Sequence, residues 1–212
     1  MKQLFSNRYT ITGQTRTLCK PVGYSTGQEI LYTKKFTGHG LFAVRAFNVE
    51  HDFSFVQEWI CKQYALQNKP GVQSIGQWMQ TYTMMLQSDF MQPLLLLQND
   101  HPVCLADVYY GQLHELSLQM DMQQQDYVIE LLTAPLKKKQ QEIIPLLIQT
   151  CLHYIYSFTE VSRIISEPNV LDIPLNAAMQ QSGFRFIQQL ELSYKTANLY
   201  ESGKAQFFKQ FG

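Results

Sequence analysis

The chain has 212 residues, 45% of them apolar and 13% aromatic, enough for one domain with a substantial core. Its 17 basic residues balance 17 acidic ones, which excludes the cationic footprint of a protein that binds nucleic acid or an anionic membrane. The cysteines Cys19, Cys61, Cys104 and Cys151 form no CxxC pair, and the histidines share no ligand spacing, so a reducing cytoplasmic setting and no metal are expected.

Residues 1–8 lack an apolar core of the secretory type, and runs such as 94–97 are too short to span a bilayer. Residues 1–40 read as an N-terminal extension of short strands. Tyr9, Ile11, Ile30, Leu31 and Tyr32 are its β-formers, and Pro21, Gly23 and Gly27 punctuate it. Gly38-His39-Gly40 marks a break, and a domain over 41–212 opens with a strand at 41–47. Asp52 reads as the N-cap of a helix over 53–66, because Phe53, Val56, Trp59, Ile60 and Tyr64 recur at helical spacing. After a loop at 68–73, Ser74 caps a second helix carrying Trp78, Met79, Tyr82, Met85 and Leu86.

The period then changes. Residues 93–98 and 103–110 read as strands around an Asn99-Asp100-His101 turn, with 114–119 as a third. Residues 127–133 are nearly continuously apolar, interrupted by Glu130, as suits a central strand. A long helix is expected over 137–157, with Pro145 kinking it or delaying its start. A strand at 163–166 precedes a helix capped by Asp172, with Pro174 in its first turn and Gly183 as its stop. Strands at 184–192 and 194–199 close the chain. The order predicts one α/β domain with a mixed sheet.

Several segments carry a resemblance. Phe42-Ala43-Val44-Arg45-Ala46-Phe47, followed by Asp52 and Trp59, is similar to "F-x-x-R-x-x … D … W". His101-Pro102-Val103 with Ala106-Asp107-Val108-Tyr109-Tyr110 is similar to "P-x-x-G-Y-x-E-x-Y". Residues 126–134 are similar to "D-x-G-x-H-L-L-I-G", and Ile164-Ile165-Ser166-Glu167-Pro168-Asn169 to "V-V-x-E-P-D". Ser182-Gly183-Phe184 and Lys195, Ala197 and Leu199 match "x-G-F" and "K-x-A-x-L". Together these resemble the GNAT acyl-CoA N-acyltransferases, in the branch that acylates hydroxylamines in siderophore synthesis. The resemblance implies an α/β (α+β) fold with a mixed, mostly antiparallel sheet flanked by helices. It also implies acetyl-CoA or another acyl-CoA as donor, and direct transfer to a small amine or hydroxylamine such as hydroxylysine or hydroxycadaverine.

The family roles fall on particular positions. Leu131, Leu132 and Thr133 would offer backbone to the pantetheine arm. The pyrophosphate loop of the family is glycine-rich, but here it reads Pro135-Leu136-Lys137-Lys138-Lys139-Gln140-Gln141. Lys137, Lys138 and Lys139, with Gln140 and Gln141, would replace close backbone approach by charge. The family histidine base falls at Glu130, the acid after "E-P" at Asn169, and the thiol-protonating tyrosine near Met179. Tyr109, Tyr110, Tyr194 and Tyr200 are substitutes among which the sequence does not choose. Trp59, Trp78, Tyr110 and His114 are expected on the acceptor side. Each has a plainer reading: solvated lysines, a structural Glu130, an Asp172 that only caps, tryptophans in the core. The same departures allow a second functional reading, a catalytically degenerate GNAT-fold protein that binds a ligand or partner without turnover.

Overall fold

The computed structural model describes residues 10–11, 14–15, 29–66, 74–192 and 194–212, with side chains from 29–61, 74–192 and 194–212. Cys19, the turn residues Pro21, Gly23 and Gly27, and the expected loop at 68–73 lie outside the described residues. Two short strands, β1 (Thr10–Ile11) and β2 (Gln14–Thr15), pair with each other. The main sheet has eight strands. In chain order they are β3 (Ile30–Phe36), β4 (Gly40–Ala46), β5 (Met91–Gln98), β6 (His101–Tyr110), β7 (Asp126–Thr133), β8 (Arg163–Ser166), β9 (Arg185–Glu191) and β10 (Thr196–Gly203). Their spatial order is β3-β4-β5-β6-β7-β8-β10-β9, and every neighbouring pair is antiparallel except β7 with β8. Strand β3 thus forms one edge of the sheet.

The alternation of β6 and β7 sorts two faces. Ala106, Val108, Tyr110, Tyr127, Ile129 and Leu131 face the largest apolar cluster, under helix α3 (Ile144–Tyr156) and helix α4 (Ile173–Gln181). Leu105, Tyr109 and Leu132 point the other way, toward helices α1 (Val49–Leu66) and α2 (Ile75–Gln87). Period 2 places Asp107 and Glu130 on this second face, where they are cross-strand partners.

Helix α1 starts earlier than residue 53. Asn48 Oδ1 accepts the amide protons of Glu50 and His51 at 3.0 and 3.2 Å, the N-cap role expected of Asp52. Asp52 is buried instead, in a two-pronged pair with Arg45 at 2.6 and 2.7 Å, and this ties the end of β4 to the first turn of α1. Ser74 does cap α2, in a reciprocal box with Gln77. Asn99 and Asp100 take positive φ values of 47° and 66°, as a tight two-residue hairpin between β5 and β6 requires.

Residues 114–119 are not a strand. Two 3-10 turns, Gly111–Leu113 and Glu115–Leu118, carry the chain across the α1/α2 face of the sheet. The His114 ring accepts the Leu116 amide proton at 3.3 Å, a local bond that competes with any ladder. Pro145 delays the long helix: α3 begins at Ile144, after a 3-10 segment at Lys138–Ile143. Asp172 caps α4 through Leu175, and Gly183, at φ 87°, ends it. A last helix, α5 (Lys204–Phe211), goes beyond the sequence reading, and it buries Phe207 against Tyr156 and His153. Among the described residues no helix is long and apolar enough to cross a membrane.

Candidate active site

Strands β7 and β8 run parallel for three pairs, ending at Val128 with Ile165. There the ladder stops. The Ser166 hydroxyl donates to the Ile129 carbonyl at 2.8 Å, and Pro168, just beyond Glu167, has no N–H to continue it. From Ile129 to Thr133, β6 is the sole ladder partner of β7 among the described residues. A parting of two parallel strands exposes peptide groups to an extended ligand beside whatever side chains flank it.

Glu130 flanks this parting on the α1/α2 face. Its side chain is 35% accessible. Tyr109 O–H donates to its Oε2 at 3.3 Å, and His114 Nε2 lies 3.4 Å from its Oε1. Burial alone would raise the pKa of Glu130. The His114 hydrogen bond and the nearby Lys195 ammonium outweigh burial and hold the carboxyl below its ordinary range.

His114 is itself fixed. Burial lowers its pKa, while the carboxylates of Glu130, Glu167 and Glu115 raise it, with a net shift upward. Leu116 N–H occupies Nδ1, so the neutral ring carries its proton on Nε2. The neutral and cationic rings therefore both present an N–H to Glu130. Donor atoms of His114, Glu130 and Glu167 lie within 4.8 Å of one another, close enough to surround one cation. An Nε2 that bears hydrogen makes the group a hydrogen-bonded cluster rather than a ready metal cage.

Glu167 and two further residues, Lys195 and Asp107, complete the cluster. Glu167 is 1% exposed, and burial together with the Glu130 charge pushes its pKa up to about 7. Lys195 Nζ, from the turn between β9 and β10, donates to Glu167 Oε1 at 3.3 Å. Burial and then Glu130 raise Asp107 well above the carboxylate range, although Tyr82 O–H donates to it at 3.2 Å. Sequence reasoning assigned Glu167, Lys195 and Asp107 no role. The "E-P" pair at the end of β8 and the "K-x-A-x-L" lysine were the available signals.

The other expected residues divide. Tyr109 meets Glu130, while Tyr110 points to the opposite face, where its hydroxyl donates to Gln112 Oε1 at 3.0 Å. Tyr194 O–H donates to Glu115 Oε1 near the cluster, and Tyr200 is buried against Asn176 beside α4. Met179 is fully buried in the core. Asn169 is engaged in the turn before α4, where its Oδ1 accepts Leu171 N–H at 2.9 Å. Trp59 is buried among the aromatics of α1, and the Trp78 ring stacks on Tyr82. The Leu131 side chain lies in the α3-side core, Leu132 faces α1, and Thr133 ends the strand half-exposed. Lys137, Lys138 and Lys139 are exposed where the chain leaves β7 for α3, and Gln140 Oε1 accepts Lys137 N–H at 3.1 Å beside half-exposed Gln141.

The sequence profile of the Acetyltransferase (GNAT) domain matches residues 48–192. No curated protein sequence matches the chain. Among solved structures, an uncharacterized protein from Bacillus halodurans superposes with a TM-score of 0.72 at 16% identity, covering 85% of this chain and 95% of that one. An aminoglycoside acetyltransferase in complex with coenzyme A gives 0.70 at 14% identity, over 81% and 99% of the two chains. A chimera of the spermidine N-acetyltransferase from Vibrio cholerae gives 0.62 at 12% identity, over 80% and 99%. At these identities the likeness is one of fold.

Proposed function

The chain belongs to the GNAT acetyltransferase family, and on that premise we propose that it transfers an acyl group from an acyl-CoA to the nitrogen of a small amine or hydroxylamine, with Glu130 as the base. One observation carries the reading: an accessible carboxylate, held ionised by His114, stands beside the parting of β7 and β8. The acceptor nitrogen attacks the thioester carbonyl, an N–C bond forms and the C–S bond breaks. Glu130 takes the proton that nitrogen must lose, and the departing thiolate takes up a proton of its own. Fixed hydrogen bonds to Glu130 from Tyr109 and His114 orient it without reorganisation during the step.

The donor lies along β7, with its pantetheine arm against the backbone of Leu131, Leu132 and Thr133. Its phosphates fall near Lys137, Lys138 and Lys139, aided by Gln140 and Gln141. Trp78 and His114 border the acceptor, Trp59 belongs instead to the core under α1, and Tyr109 takes the place expected for Tyr110. Asn169 keeps its turn and leaves the acidic role to Glu167. The siderophore-type segments extend the acceptor class to hydroxylated amines, whose neutral nitrogen at physiological pH suits a carboxylate base of low pKa.

A thermal-shift titration with CoA, acetyl-CoA and succinyl-CoA tests the donor, because a ligand that binds the folded state raises the melting temperature. A saturable rise with an acyl-CoA, followed by thiol release with N-hydroxycadaverine or cadaverine, is the expected result. No shift at millimolar donor would remove the reading.

A further inference from the structure

Glu167 stands where β8 ends, on the same face as Ile165 and toward Glu130 on β7. One of its oxygens lies within 4.8 Å of one from Glu130, and the Glu167 side chain is almost wholly enclosed. Two carboxylates this close in a shielded site do not both stay ionised at no cost. A proton retained on one of them can bridge to the other, and a side-chain hydrogen bond with Glu167 helps hold Glu130 ionised. The surroundings break the symmetry. Glu130 already accepts from Tyr109 and His114, which favours its charged form. Lys195 donates to Glu167 directly, and His114 acts on it by charge from beside Glu130.

We propose that Glu130 and Glu167 form a proton-sharing pair, in which Glu167 donates to and positions the base while Lys195 governs when Glu167 gives its proton up. The proposal rests on Glu130 being the base of the transfer. The groups that face the pair come from every neighbouring element. They are Tyr109 and Asp107 on β6, His114 and Glu115 after it, and Tyr194 and Lys195 in the β9–β10 turn. Lys195 is the cation that contacts Glu167 directly, so it is the group whose removal separates the two carboxyls most clearly. The consequence for the reaction is a base whose strength changes with pH. While Glu167 holds the proton, Glu130 is a hydrogen-bonded carboxylate of low basicity. Once Glu167 ionises, Glu130 faces a like charge and becomes a stronger proton acceptor.

The test is a pH titration of the side-chain carboxyl carbons by NMR, with ¹³C-labelled glutamate and with Glu130→Gln and Glu167→Gln as assignment controls. The wild-type protein should show one midpoint at about 7 and a partner below the ordinary 4.5. Lys195→Ala should move the upper midpoint up by roughly one unit, and Lys195→Arg should return it. In turnover, Glu167→Gln should erase the inflection near 7 from the pH–rate profile, a readout that loss of packing does not produce. Two independent midpoints near the ordinary value, or an upper midpoint indifferent to Lys195→Ala, would overturn the pair. Full turnover by Glu130→Gln would instead remove the base assignment and leave the NMR result standing, so the two failures are distinguishable.

Discussion

His114 Nε2 lies 3.4 Å from Glu130 Oε1, while Leu116 N–H meets the other ring nitrogen at 3.3 Å. The backbone of a 3-10 turn thereby decides which nitrogen points at the carboxylate. Removing the ring leaves Glu130 with its burial penalty and one fewer donor, so its pKa should rise. Because the base works ionised, rate increases with pH through that pKa. His114→Ala should therefore shift the acid limb of kcat/KM to higher pH by roughly one unit. A pH–rate profile extended below the ordinary carboxylate range measures this, and an unmoved limb would separate His114 from Glu130.

Glu130→Gln keeps the size of the side chain and its hydrogen-bond acceptor but removes the proton-accepting charge. Turnover should fall by about 10²–10⁴, with the thermal shift from acetyl-CoA nearly unchanged. A rate within a few-fold of wild type would show that the acceptor loses its proton elsewhere.

The strands and most helices were legible because their signals are local. Ser74, Asp172, Gly183 and the Asn99-Asp100 pair each act within a few residues of themselves. Glu130 was legible because it interrupts the apolar run over residues 127–133. Glu167 was not, since its meaning depends on β7 and on Lys195. The partners of Asp52 show the same limit. A cap for the next helix and an ion pair with the preceding strand look alike in sequence, and the buried Arg45 decides between them. Tyr109 and Tyr110 differ by one step of the pleat, which only the register with β7 resolves.

The Arg45–Asp52 pair should dominate the stability of the β4–α1 junction. Both side chains are buried, so truncating one leaves the other charged and unpaired. Asp52→Ala should cost about 3–5 kcal/mol, read from urea unfolding. Replacing both by apolar residues of similar volume should cost much less, and equal losses in the single and double variants would refute the pairing argument.

Glu167 couples the site to pH-dependent stability. Its folded pKa is about 7 against an ordinary 4.5. Below 4.5 both states hold the proton, and its stabilising contribution is fully present. As pH rises the unfolded chain releases the proton first, and the contribution is lost by the time the folded carboxyl titrates. The loss is up to roughly 3 kcal/mol. Glu167→Gln cannot titrate, so its unfolding midpoint should decline less than that of wild type between pH 5 and pH 8. Parallel declines would mean that Glu167 titrates normally in the folded protein.

Three exposed lysines follow the end of β7, where glycines would let backbone approach a phosphate. Their charges lie at the entrance to a helical segment whose dipole they oppose, an arrangement an anion would relieve. Exposed cations are screened, so each contributes modestly. The combined Lys137→Ala, Lys138→Ala and Lys139→Ala variant should weaken CoA by roughly tenfold. Dephospho-CoA keeps the pyrophosphate and lacks the ribose phosphate, so it separates the two phosphate groups. If the lysines grip the ribose phosphate, the variant should bind CoA and dephospho-CoA with similar affinity while wild type prefers CoA. If they grip the pyrophosphate, both ligands weaken together. Calorimetric affinities identical in the variant and wild type for both ligands would make the lysines a solvated helix entrance and nothing more.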